Sequence, residues 1–270
     1  MARWLLYISA VMPPRNPSPG EIAGILVGSS AVAHAMREDL GLAARVQIQV
    51  MIAGEYGVGK KRLAMLIHRQ SVRSRAPFLA VRCTDKAELE PRLFGRRYNE
   101  AGVFERANGG TVFLEDVDAL SATAQDRLMQ LVGTGRVQPV GTRTVYRRTN
   151  VRVVCATRAR LVDKLATGAF DRELYYRLNT IYLPIPPLRE RPEDIEPLLE
   201  YFTAYYARRG GFAVPDLSRE CRASCQAHDW PGNVRQLQTA ASLLAARAVP
   251  NLPVALLASA ERIRHELPAA

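Results

Sequence analysis

Apolar and polar positions fall into two regimes along the chain. From about residue 46 to residue 185, short apolar runs of strand length alternate with stretches of helical spacing, the pattern of a parallel sheet covered by helices. Residues 46–53 (VQIQVMIA), 78–83 (FLAVRC), 111–114 (TVFL), 151–156 (VRVVCA) and 181–185 predict five strands, the last stopped by Pro186 and Pro187. Helices are predicted over 60–70, 84–93 and 121–132, the last with Ser121 placed to cap it. Residues 136–148 read as a hairpin turning at Gly141. Beyond Pro192 the β-branched runs stop, and helical stretches at about 192–209, 218–228 and 233–248 predict a small second domain. The boundaries expected are a poorly structured leader over 1–24, an α/β core over 25–190, a helical lid over 191–248 and a tail over 249–270, with one more short helix at 254–267.

Composition narrows the class. The 270 residues are 48% hydrophobic and 23% charged, which excludes a collagen-like repeat, a coiled coil or a disordered tail and leaves room for a sizeable core. No apolar run approaches the roughly 20 residues of a membrane span. The apolar segment 4–12 follows Arg3 like a short secretion signal, but it runs into Pro13 and Pro14 without a small-residue cleavage site. Cys83, Cys155, Cys221 and Cys225 have no CxxC spacing, so neither zinc nor a disulfide framework is indicated and a cytoplasmic location is expected. The net charge of +11 raises the question of a nucleic-acid partner. Its distribution argues for caution: residues 54–110 carry 12 basic and 6 acidic side chains, whereas 191–270 carry 9 of each, so a sequence-independent nucleic-acid binder is the least supported reading.

The chemistry begins where the first strand ends. Gly54, Glu55, Tyr56, Gly57, Val58, Gly59 and Lys60 form a G-x-x-x-x-G-K run between a predicted strand and a predicted helix. Glycines let the backbone close around phosphates so that its N–H groups and the helix N-terminus face them, while the lysine reaches the β and γ oxygens. Lys61 stands where Ser or Thr would ligate Mg²⁺, so a metal would depend on phosphate oxygens, water and a second carboxylate. Glu115 and Asp116, at the end of the predicted strand 111–114, supply candidates for holding Mg²⁺ and orienting a water; with Asp118 they would otherwise simply open the next helix, where acids complement its dipole.

Six blocks in order carry a family resemblance: the loop 54–60, Leu93-Phe-Gly95, the run from Phe104 to Leu114, Glu173-Leu-Tyr-Tyr-Arg-Leu-Asn179, Pro187-Leu-Arg-Glu-Arg-Pro-Glu-Asp-Ile195 and Asp229-Trp-Pro-Gly-Asn-Val-Arg235. Over about residues 25–248 the chain resembles the AAA+ domain of sigma-54-dependent transcriptional activators, the bacterial enhancer-binding proteins. The resemblance implies an AAA+ P-loop core, its parallel sheet between helices, plus a small C-terminal helical lid, assembled as a ring with ATP at subunit interfaces. It implies that Val27 and Gly28 lie beside the adenine, that Arg235 senses the γ-phosphate from the lid, and that Arg177 is an arginine finger reaching a neighbour's ATP, a role suited to a rigid, always charged fork. Arg235 would otherwise be a helix-surface ion-pair partner and Arg177 an internal one.

Departures from the family pattern are equally legible. The carboxylates run Glu115 then Asp116 instead of Asp then Glu; Arg158 replaces the sensor asparagine after Thr157; Asp171 follows Phe170, displacing Arg172 by one. The sigma-contacting Gly-Ala-Phe-Thr-Gly-Ala loop would lie between Gly95 and Phe104, where only Arg96-Arg-Tyr-Asn-Glu-Ala-Gly-Val103 stands, with Tyr98 its one aromatic. About 24 residues precede the core, and 249–270 are too short for a helix-turn-helix, so the chain reads as core and lid without a built-in DNA reader. The expectation is an ATP-binding transcription regulator with weak or lost ATPase activity and no independent sigma-54 activation, working by self-association or in a mixed ring with a loop-bearing relative on the transcription machinery. The alternative is a nonhydrolysing, nucleotide-responsive protein-interaction scaffold.

Overall fold

The structure, a computed structural model, describes residues 27–86, 88–96, 100–142, 144–158 and 161–247. The leader, the tail with its short helix, and Arg97, Tyr98 and Asn99 lie outside the described residues. Two compact units form: one from residues 35–55 and 60–185, the other from 56–59, 186–247 and the described residues up to His34.

The first unit is built on five parallel strands: β1 (Val50–Ala53), β2 (Phe78–Arg82), β3 (Thr111–Glu115), β6 (Arg152–Thr157) and β7 (Ile181–Pro184), in the order β2-β3-β6-β1-β7. β6 is buried along its whole length and β3 along all but Glu115, which is why their sequences are continuous apolar runs instead of alternating ones. Helices α1 (Ala31–Arg45), α2 (Lys60–Arg69), α3 (Leu89–Phe94), α4 (Val103–Arg106), α5 (Ala122–Thr134), α6 (Leu161–Ala166) and α7 (Arg172–Leu178) accompany the sheet. Ser121 caps α5 as expected, accepting the Ala124 N–H at 3.1 Å, and Asp171 does the same for α7, accepting from Leu174 at 2.7 Å. The acid that follows Phe170 is thus a helix cap. The hairpin is a two-residue pairing of β4 (Arg136–Val137) with β5 (Arg147–Arg148), and Gly141 has φ +80°.

Two elements differ from expectation. The first strand starts at Val50, not at residue 46, because the Ile48 carbonyl accepts the Nε–H of buried Arg152 at 3.1 Å and so is withdrawn from a ladder. The helix expected at 84–93 forms only over Leu89–Phe94, since Glu88 is left-handed with φ 60° and a helix cannot propagate through it.

The second unit packs α8 (Ile195–Gly210), α9 (Arg219–Gln226) and α10 (Asn233–Arg247) around Phe202, Trp230 and Leu237. Trp230 is fully buried, and its indole N–H is satisfied by the Cys225 carbonyl at 2.8 Å. Asp194 is fully buried too: it accepts from the Ser30 N–H and hydroxyl, both at 2.9 Å, and faces Arg191 at 3.6 Å.

Candidate functional site

In the sheet unit, β1 ends by handing the chain to Gly54, whose N–H donates to the Thr157 carbonyl at the end of β6, at 3.2 Å. Lys60 opens α2 and folds its ammonium back onto the Gly54 and Glu55 carbonyls, at 2.7 and 2.9 Å. Burial pushes the Lys60 pKa down; Asp116 and Glu115 oppose that effect, whereas Arg158 reinforces it. An ammonium has three donors, so one remains for an incoming oxygen. Lys61, half-buried, offers no acceptor there.

The carboxylates at the end of β3 all meet cations. Arg158 donates its Nε–H to the buried Asp116 at 2.8 Å; Arg82 reaches Glu115 at 3.4 Å; Asp118 takes Lys164 at 3.0 Å and the Thr157 hydroxyl at 2.9 Å. Asp116 lies in the left-handed region, with φ 58° and ψ 48°, a conformation Asp adopts more easily than most residues. With Arg158 on Asp116, Arg82 on Glu115 and no hydroxyl at position 61, this donor set does not fit the resident Mg²⁺ expected at Glu115 and Asp116.

The helical unit holds the rest of the glycine-rich loop. The Arg235 N–H donates to the Gly57 carbonyl at 3.1 Å, and the Asn233 amide donates to the Tyr56 carbonyl at 2.9 Å. The Arg235 guanidinium sits over the Tyr56 ring, 5.1 Å from its centroid, and donates to the Tyr56 hydroxyl. Gly57 has φ +81°, and a Cβ there would stand 2.1 Å from the Gly232 carbonyl oxygen, so only glycine fits. Val58 is buried, and Gly59 carries φ +109°. Val27 packs against the helical core, and a Cβ on Gly28 would stand 2.5 Å from an Asp194 oxygen.

Arg177 does not join these groups in this chain. It pairs with Glu173 one turn away at 2.7 Å, both exposed, and a Cβ on Gly133 of α5 would stand 3.0 Å from one of its guanidinium nitrogens. Three contributors escaped sequence reading as site residues. Asn233 bridges the loop and the Leu188 N–H; its signal was its place in the Trp-Pro-Gly-Asn block. Lys164, which neutralises Asp118, had no motif around it, and neither did Arg82.

Comparison with known proteins places this geometry. Residues 26–184 match the family described as the sigma-54 interaction domain, and residues 189–252 match the AAA+ ATPase lid domain. The C4-dicarboxylate transport transcriptional regulatory protein DctD of Rhizobium meliloti is 37% identical over 248 residues, covering 87% of this chain and 53% of its own length. The HTH-type transcriptional regulatory protein TyrR of Enterobacter agglomerans is 41% identical over 203 residues, 71% of this chain and 38% of that protein. The crystal structure of NtrX from Brucella abortus in complex with ATP superposes with a TM-score of 0.81 at 29% identity, covering all of this chain and 59% of that one. The chain spans about half the length of the curated relatives it matches. With its phosphate loop, five-stranded parallel sheet and helical lid, the chain belongs to the sigma-54 interaction domain family of AAA+ transcription regulators.

Proposed function

We propose that this chain is the ATP-binding module of a sigma-54-type transcription regulator, with ATP hydrolysis weak or lost. The observation that carries the reading is the glycine loop itself. Gly54, Gly57 and Gly59 take positive φ, and Lys60 waits at the N-terminus of α2 with its ammonium on the loop's own carbonyls, ready to exchange them for phosphate oxygens. NtrX, solved with ATP and with ADP, supports the choice of ligand. In this reading Val27 and Gly28 flank the adenine, residues 54–60 and Lys61 surround the phosphates, Arg235 leaves Tyr56 for the γ-phosphate, Glu115 and Asp116 are the carboxylates available to a water, and Arg177 serves a neighbouring subunit. The test is ATP binding by calorimetry. Lys60→Ala is expected to lose about 1.5–3 kcal/mol, roughly 10- to 100-fold in affinity. Equal affinity in parent and variant overturns the assignment.

The same reading gives the chain no independent sigma-54 activation. The Arg96 N–H donates to the Glu100 carbonyl at 3.1 Å and Arg96 bridges Val140, and the run from Arg96 to Val103 holds no Gly-Ala-Phe-Thr-Gly-Ala sequence, which supports this reading. In vitro transcription from a sigma-54 promoter checks this: no open complex forms with this chain as sole activator, and activity that returns only with a loop-bearing relative supports a mixed ring. Robust activation by the chain alone overturns it. A second reading, a nonhydrolysing nucleotide-responsive scaffold, is favoured by one observation, the Arg158–Asp116 pairing that occupies a carboxylate hydrolysis needs.

A further inference from the structure

The end of β3 carries three carboxylates, Glu115, Asp116 and Asp118, and each already faces a cation: Arg82, Arg158 and Lys164. Lys60 adds a fourth positive charge whose electrostatics are coupled to all three acids. A magnesium ion at a phosphate site is ordinarily held by one or two carboxylates together with the phosphates, and it keeps its water reluctantly shared. Here the carboxylate nearest to that role, Asp116, is buried and bonded at 2.8 Å to a guanidinium, and position 61 provides a lysine in place of a hydroxyl. A divalent ion entering this cluster would meet four cations against three anions.

We propose that Arg158 stands in for the metal at Asp116, so that this chain binds a nucleoside triphosphate without a divalent cation. The inference rests on the nucleotide-binding reading above. Arg158 spends only its Nε–H on Asp116 and is half-exposed, which leaves the two terminal nitrogens of its planar fork as donors for phosphate oxygens. A permanently charged guanidinium anchored on a buried carboxylate does for phosphate charge what a bound dication would, with no metal to recruit. A tetra-anionic nucleotide then enters a cluster whose charge is already biased toward it.

The experiment titrates a fluorescent ATP analogue into the full chain in two buffers, one with millimolar Mg²⁺ and one with excess EDTA, and repeats both with Arg158→Asn. The parent is expected to bind with affinities that agree within about threefold between the buffers, and Arg158→Asn to weaken about tenfold or more in EDTA, as loss of a charge-assisted contact predicts, with recovery on adding Mg²⁺. A parent affinity about tenfold or more weaker in EDTA than in Mg²⁺ overturns the inference and leaves the nucleotide reading standing. Absence of binding in both buffers overturns both. Undiminished binding of Arg158→Asn in EDTA overturns the role given to Arg158. Should that variant fail to fold, the parent comparison decides alone.

Discussion

Asp116 concentrates the chemistry of this chain in one side chain. It is left-handed, buried and paired with Arg158, and it stands where the family resemblance implies the longer Glu. Shortening a water-orienting carboxylate by one carbon-carbon bond moves it about 1 Å, enough for on the order of 100-fold in rate. Restoring the family order with Glu115→Asp and Asp116→Glu together is expected to leave phosphate release slow, because Arg158 remains to bind the new carboxylate. Adding Arg158→Asn to the exchange is expected to raise turnover. A single-turnover assay with labelled ATP separates the two, and full activity from the exchange alone would show that Arg158 does not block the site. Identity at positions 115, 116 and 158 was plain from the sequence. Their pairing was not, since Asp116 and Arg158 lie 42 residues apart and only the β3–β6 pairing brings them together.

At the scale of elements, α2 shows how a helix is tied to the sheet by a group that burial biases toward its neutral form. His68 is buried, its Nδ1 lies 2.9 Å from the Thr111 hydroxyl on β3, and its ring meets Phe78 at 5.3 Å. Desolvation lowers its pKa below the ordinary 6.5 against an opposing hydrogen bond to the Ala76 backbone, with the neighbouring Arg152, Arg69 and Arg73 adding to the lowering. Between the folded and unfolded values the unfolded chain binds the extra proton, so stability rises with pH there. The His68 contribution is therefore complete above about pH 6.5 and is lost progressively as pH falls from there through the lower folded value. Urea midpoints at pH 7.5 and pH 5.5 are expected to differ less for His68→Gln than for the parent; an unchanged difference would assign the pH dependence elsewhere. β1, β3 and β6 were legible because parallel strands buried along most of their length write unbroken apolar runs. α1 was not read, although Ala33, Met36, Leu40, Ala43 and Ala44 form a buried helical stripe, because three of those five are alanines and give little contrast. The helices α4, α6 and α7, four to seven residues long, are too short to show a period.

For the molecule as a whole, the two units can be followed by their own sulfur. Cys83 and Cys155 are buried in the sheet unit, Cys221 and Cys225 in the helical one, and burial pushes the Cys83 and Cys225 thiols up to about 12. All four are buried away from reagent, so all four should resist a thiol reagent at pH 8 in native buffer. In a urea series read by mass spectrometry, each pair is expected to become reactive together. Labelling of one member of a pair in native buffer would contradict the packing described. The sequence marked the change from strands to helices near Pro192 but gave no sign that residues 56–59 belong with the helices, because that membership rests on backbone groups: the Tyr56 and Gly57 carbonyls taken by Asn233 and the Arg235 N–H. The lid is therefore a spliced object, which draws residues 56–59 from about 130 positions upstream of its main stretch as well as the described residues up to His34. A fragment starting at Pro186 would leave the Asn233 amide and the Arg235 N–H without those acceptors, so autonomy of the helical unit requires the tetrapeptide to travel with it.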